Sequence, residues 1–99
     1  MPAYIMGIVD ELLDPEAMRE YIERIAPLIA EHGGRYVFMS DKVQAIEGDL
    51  QPAMLAAVEF ADMDRLRAFW ASLDQTGLKA LRQRGSRGGV LFVDVPNTG

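Results

Sequence analysis

Residues 53–60 read Ala53-Met54-Leu55-Ala56-Ala57-Val58-Glu59-Phe60. Along an extended strand alternate side chains point to opposite faces, so Met54, Ala56, Val58 and Phe60 form one set and Leu55, Ala57 and Glu59 the other. Both sets are apolar apart from Glu59, the pattern of a strand with no wet face. Residues 3–9, Ala3-Tyr4-Ile5-Met6-Gly7-Ile8-Val9, repeat it, and so do residues 90–95, Val90-Leu91-Phe92-Val93-Asp94-Val95. What covers both sides of such strands decides the fold.

The segments between them are helical by period. Asp14-Pro15 supplies a carboxylate to accept the free N–H groups of a helix start and a proline where no donor is needed. Met18, Tyr21, Ile22, Ile25 and Ile29 then recur at steps of three and four, with Arg19, Glu20, Glu23 and Arg24 facing away, which makes an amphipathic helix of about four turns. Pro27 removes the donor for the Glu23 carbonyl and predicts a bend or local loosening. His32-Gly33-Gly34 ends the helix. Arg35–Ser40 returns to strand composition, with Tyr36 and Phe38 on one parity and Val37 and Met39 on the other, and Val43–Glu47 is read as its continuation after an irregularity at Asp41-Lys42. Gly48-Asp49 and Pro52 turn the chain into 53–60, so the two strands form an antiparallel hairpin. Asp62 caps a second helix with Leu66, Phe69, Trp70 and Leu73 on one face. Gly77 interrupts it, Leu78–Arg84 forms a short extra helix, and Gly88-Gly89 releases the chain into the last strand, Val90–Val95.

Strand, helix, strand, strand, helix, strand is the order of a ferredoxin-like α+β sandwich: two right-handed crossovers, a four-stranded antiparallel sheet and the helices on one face. The helices hide only one side of that sheet. An apolar second side of several hundred Å² is unusual for a soluble monomer, so a homodimer packed sheet against sheet is expected.

Composition narrows the function classes. The chain has 99 residues and no internal repeat, which predicts one domain over residues 1–99, with its core at 3–95 and a flexible polar tail at 96–99. Cysteine is absent, excluding disulfides, thiolate chemistry and cysteine-held metal. With 15 acidic against 10 basic residues the chain lacks the cationic balance of a general nucleic-acid binder. Residues 1–64 carry 13 acids and 4 bases and residues 65–99 carry 2 acids and 6 bases, so one half attracts the other. No signal-like or membrane-spanning run appears, and a cytoplasmic location is the default. An RNA-recognition domain shares the element order but displays aromatic residues on its third strand, where this chain offers only Phe60. A copper chaperone of this topology needs a Cys-x-x-Cys pair, which is missing.

Ala3-Tyr4, Asp14-Pro15-Glu16, Pro27, His32-Gly33-Gly34-Arg35-Tyr36, Glu47-Gly48-Asp49, Pro52, Glu59-Phe60, Trp70, Ser72 and Leu78-Lys79-Ala80-Leu81-Arg82 resemble, in order and spacing, the "domain of unknown function 1330" family. The resemblance runs from about Ala3 to Val95. It implies a dimeric α+β barrel, two sheets facing each other around a cavity, in a superfamily that includes cofactor-independent monooxygenases, small isomerases and decyclising enzymes. It brings no catalytic residue with it. The chain departs from the family at Met39-Ser40-Asp41-Lys42, where a glycine-rich Arg/Gly stretch is usual, and at Ser72-Leu73-Asp74-Gln75, which stands in place of Ser-Pro-Glu-Tyr and lacks that tyrosine hydroxyl.

Five residues are candidates for ligand contact. Glu59 points to the side of the sheet away from the helices, either as a ligand anchor or general base, or as an ion-pair partner of Arg35, Lys42 or a cation of the second copy. Arg35 at a strand entrance can clamp a carboxylate or simply be solvated. His32, the sole histidine, can carry a proton near neutrality or complement the negative helix end. Tyr4 and Trp70 present apolar rings with polar edges to a pocket, although Trp70 shares a face with core residues. No metal or organic cofactor is expected. Lys79, Arg82, Arg84 and Arg87 form a basic cluster, either to receive an anion or as a solvated face with the acidic first helix as counterpart. Two functions remain: a small enzyme or binder holding an apolar, aromatic or carbonyl compound in a cavity between sheet and helices, walled by both sheets and the helix edges, with Tyr4, Arg35 and Glu59 supplying polar contacts, and a non-catalytic dimeric module for assembly or regulation.

Overall fold

In the computed structural model, which describes residues 1–96, the elements are β1 (Ala3–Leu12), α1 (Pro15–Glu31), β2 (Arg35–Ser40), β3 (Met54–Phe60), α2 (Met63–Ser72), α3 (Leu78–Gly85) and β4 (Ser86–Asp94), with one 3-10 turn at Leu73–Gln75. The part of the expected polar tail at residues 97–99 lies outside the described residues. The strands form one antiparallel sheet in the order β2-β3-β1-β4, as the two-crossover topology requires.

Helix starts follow their capping chemistry. The Asp14 carboxylate accepts the N–H groups of Glu16 and Ala17 at 3.1 and 3.2 Å, and that of Asp62 accepts from Arg65 N–H at 2.8 Å. At the far end of α1, Gly33 takes φ +75°, where a side chain is strained, and the Gly34 N–H closes on the Ile29 carbonyl at 2.8 Å. The helix remains unbroken through Pro27. Pro27 and Glu23 are both exposed, so the carbonyl freed by the missing donor faces the solvent side of the helix.

Register fixes the two faces. Ile5 stands opposite Val58 on one side and Phe92 on the other, and Ile5 and Val58 are buried under the helices together with Ala3 and Phe60. The core joins these strand residues to Ala17, Ile25 and Ile29 of α1, Leu66 and Phe69 of α2, and Leu78 and Leu81 of α3. The rings of Phe60 and Phe69 meet at 5.2 Å near its centre. The alternate residues Tyr4, Met6 and Ile8, with Leu55, Ala57 and Glu59, line the face without helices.

Three local expectations are corrected. Val43–Glu47 does not continue the strand. The edge strand ends at Ser40 opposite Leu55, and beyond it no neighbour offers a ladder, so Ile46 stands 84% exposed. Tyr36 and Phe38 do not share a face. A bulge at Val37 shifts the register, leaving Tyr36 opposite Val58 under the helices and Phe38 opposite Ala57 on the open side. Nor does Gly88-Gly89 precede β4, which begins at Ser86 and contains both. Gly88 lies at the point where β1 bulges between Val9 and Glu11, and a Cβ there would fall on the Ile8 carbonyl, so the strand needs a glycine at its closest approach.

Candidate functional site

The sheet carries polar chemistry on both faces, arranged differently. On the open face the register sets Tyr4 beside Glu59 and Glu59 beside Arg35, one residue from each of three adjacent strands. The Tyr4 hydroxyl donates to Glu59 Oε2 at 2.7 Å. Arg35 Nε donates to Oε1 at 3.0 Å, and its Nη2 lies 2.8 Å from the same oxygen. The Tyr4 hydrogen bond, followed by that from Arg35, holds the Glu59 carboxyl below the ordinary glutamate range, and the same bond raises the Tyr4 phenol. The row is thus an ionised carboxylate with both oxygens engaged by its own neighbours, and its remaining capacity is one of holding charge in place rather than accepting a proton.

Beneath the helices lies a cavity of about 190 Å³ between the sheet and α1, closed at one end by α2 and α3. It exists because the covered face is built from small residues at mid-strand. Gly7 pairs with Ala56 on one side and with Val90 on the other, and Gly88 follows on the same face of β4, opposite Val9. A methyl group at Gly7 would meet only the Ala56 methyl, at 4.0 Å. Ile22, Ile25 and Ile29 form the roof, Met39, Met54 and Val58 the floor, and Phe69 and Trp70 the end wall. Residues with polar side chains on this lining include Tyr21, Tyr36, Arg82, Gln83 and Ser86. Burial pushes the Tyr21 phenol up to about 12, against a smaller lowering by Arg82, and raises Tyr36 as well, so both hydroxyls stay protonated near neutrality.

Of the five candidates, Trp70 alone borders this cavity. Its ring meets Phe92 edge-on at 5.4 Å, with Lys79 Nζ 4.7 Å from its centroid. Tyr4, Arg35 and Glu59 gather on the opposite side of the sheet. His32 caps α1, its ring Nδ1 2.9 Å from the Leu28 carbonyl and its edge toward Phe69 at 5.9 Å. The basic cluster is dispersed: Lys79 pairs with Asp74 and Arg87 with Glu11, Arg84 faces a groove with Glu16, Glu20 and Glu23, and Arg82 turns to the cavity. Sequence reasoning missed Tyr21, Tyr36 and Arg82 as a group. Tyr21 was legible as a core-facing position of α1, but Tyr36 changes face only through the Val37 bulge, and α3 is too short for its apolar stripe to show where Arg82 reaches. Among the described residues, no three His, Asp or Glu side chains gather as a metal site requires.

Fold and cavity together define a ferredoxin-like α+β sheet with an apolar pocket under its helices. Solved structures share that fold. A Rhodopseudomonas palustris protein of unknown function aligns with TM-score 0.79 and 14% identity over 97% of this chain and 83% of its own, and its methylated form with TM-score 0.72 and 15% identity over 99% and 83%. SnoaB, a cofactor-independent oxygenase from Streptomyces nogalater, aligns with TM-score 0.62 and 14% identity over 98% and 94%. Comparison with curated proteins finds no match. Residues 2–96 match the domain of unknown function DUF1330, and the chain belongs to that family.

Proposed function

We propose that residues 1–99 act as one cytoplasmic domain that binds or transforms a small apolar, aromatic or carbonyl compound in the cavity between the sheet and α1, with neither metal nor organic cofactor. The observation that carries this reading is the cavity itself. Well-packed interiors leave few voids larger than a water molecule, and here three residues without a large side chain, Gly7, Ala56 and Gly88, keep one open beside aromatic and hydroxyl groups that can orient a guest. The fold shared with a cofactor-independent oxygenase makes oxygen uptake the first activity to assay. The binding test is calorimetric titration of the wild-type chain and Ala56→Leu with single-ring aromatic and carbonyl compounds. Binding that disappears in a folded Ala56→Leu supports the proposal, and a wild type that binds none of them overturns it.

The open face favours a second element of the proposal, that two copies pack sheet to sheet. Phe38, Leu91 and Val93 leave apolar surface there, while the charge of Glu59 is already neutralised by Arg35 within the face, so Glu59 is not left unpaired when a copy is brought against it. Sedimentation or light scattering should give twice the 11.0 kDa chain mass, and the mass of one chain at high concentration would exclude the pairing.

A further inference from the structure

Charge in the cavity wall is one-sided. Arg82 belongs to the lining, and among the described residues no Asp or Glu joins it there. The Arg82 Nε is buried and has no hydrogen-bond partner among the described residues. A buried donor on a cation that lacks an acceptor is costly, and removing water from it without replacement leaves that cost standing. The surrounding groups do not relieve it. The Trp70 ring lies 5.6 Å from the guanidinium carbon and offers only its quadrupole. Tyr21 and Tyr36, both kept protonated by burial, are neutral hydroxyls, and among the described residues neither accepts from this Nε. Neighbouring cations are treated differently: Lys79 holds Asp74 at 2.7 Å and Arg87 holds Glu11 on the surface.

The volume limits the guest. An apolar cavity of roughly 150 Å³ admits benzene, and drug-sized ligands need roughly 300 Å³ or more. About 190 Å³ therefore suits one ring with a small head group.

Building on the binding function proposed above, we infer that the guest is an anion, a single-ring organic acid whose carboxylate accepts from the Arg82 guanidinium while its ring lies between Ile25, Val58 and Trp70. Arg82 is then the residue that sets ligand charge, and the two phenols stand as additional donors to the same head group.

The test is titration of the full chain by calorimetry with three probes of one shape and different charge: benzoate, benzyl alcohol and benzylamine. Benzoate is expected to bind about tenfold or more tighter than the other two, the effect of one charge-assisted hydrogen bond in a partly dry site. In Arg82→Met that preference should vanish while benzyl alcohol binds as before. Equal affinity for benzoate and benzyl alcohol in the wild type overturns the anion assignment and leaves the cavity reading standing, and so does a benzoate preference that survives Arg82→Met. Failure of all three probes to bind overturns both. If Arg82→Met does not fold, the wild-type comparison decides alone.

Discussion

On the covered face of the sheet Ile5, Val58 and Phe60 are at most 7% exposed, while on the open face Phe38, Leu91 and Val93 keep between 38% and 54% of their surface. The two sets come from the same strands and the same apolar residue types. Their difference is made by the helices, which bury the middle of one side, with Phe92 of β4 on that side still 39% exposed, and leave the other to whatever else is present. Polar groups are managed in opposite ways. The open face closes its charge within the row Tyr4, Glu59 and Arg35, whereas beside the cavity under the covered face the Nε of Arg82, from α3, has no hydrogen-bond partner among the described residues. A satisfied polar group can sit on a surface awaiting an apolar neighbour, and an unsatisfied one marks where a polar ligand gains most.

The largest break in this comparison is Phe60→Ala. Phe60 is fully buried against Phe69, and its loss should cost about 3–5 kcal/mol in chemical denaturation. The next effect is alkaline. Tyr21 rises from 10.0 to about 12 in the folded chain, so the native state keeps a proton that the unfolded chain gives up. The stability involved is intact below pH 10 and is lost as pH climbs through about 12, by about 2–3 kcal/mol in all, and Tyr21→Phe should remove that slope from a denaturation series between those limits. On the open face Leu91→Ala should change unfolding by no more than about 0.5 kcal/mol when measured at dilution, where copies are apart. A large loss at dilution would show that this face packs within one chain. The smallest effect is acidic. Glu59 has a depressed folded value, so its contribution is present above the ordinary glutamate range and fades as pH falls through the depressed value. Glu59→Gln should make the acid limb of the stability curve shallower.

Element order was legible because period and punctuation agree: Asp14-Pro15 and His32-Gly33-Gly34 bracket α1, and the apolar runs on both parities mark β1, β3 and β4. The row on the open face was half legible. Parity put Glu59 on that side, but its partners depend on register, which residues 41–53 do not determine. The cavity was not legible at all. It requires Gly7 to land between Ala56 and Val90, a bulge to turn Tyr36 inward and α3 to bring Arg82 across, three facts of tertiary pairing that no local pattern encodes. The two glycines of β4 misled for a related reason: a glycine demanded by close backbone approach looks, in sequence, the same as one that ends a strand.

The chain has a single tryptophan, and it forms part of the end wall of the cavity. Ultraviolet emission excited at the red edge therefore comes from one spot with Phe92 at its side and two cations near its ring. A guest that dries this wall and a denaturant that floods it should move the spectrum in opposite directions, so one cuvette distinguishes occupancy from melting without any attached dye.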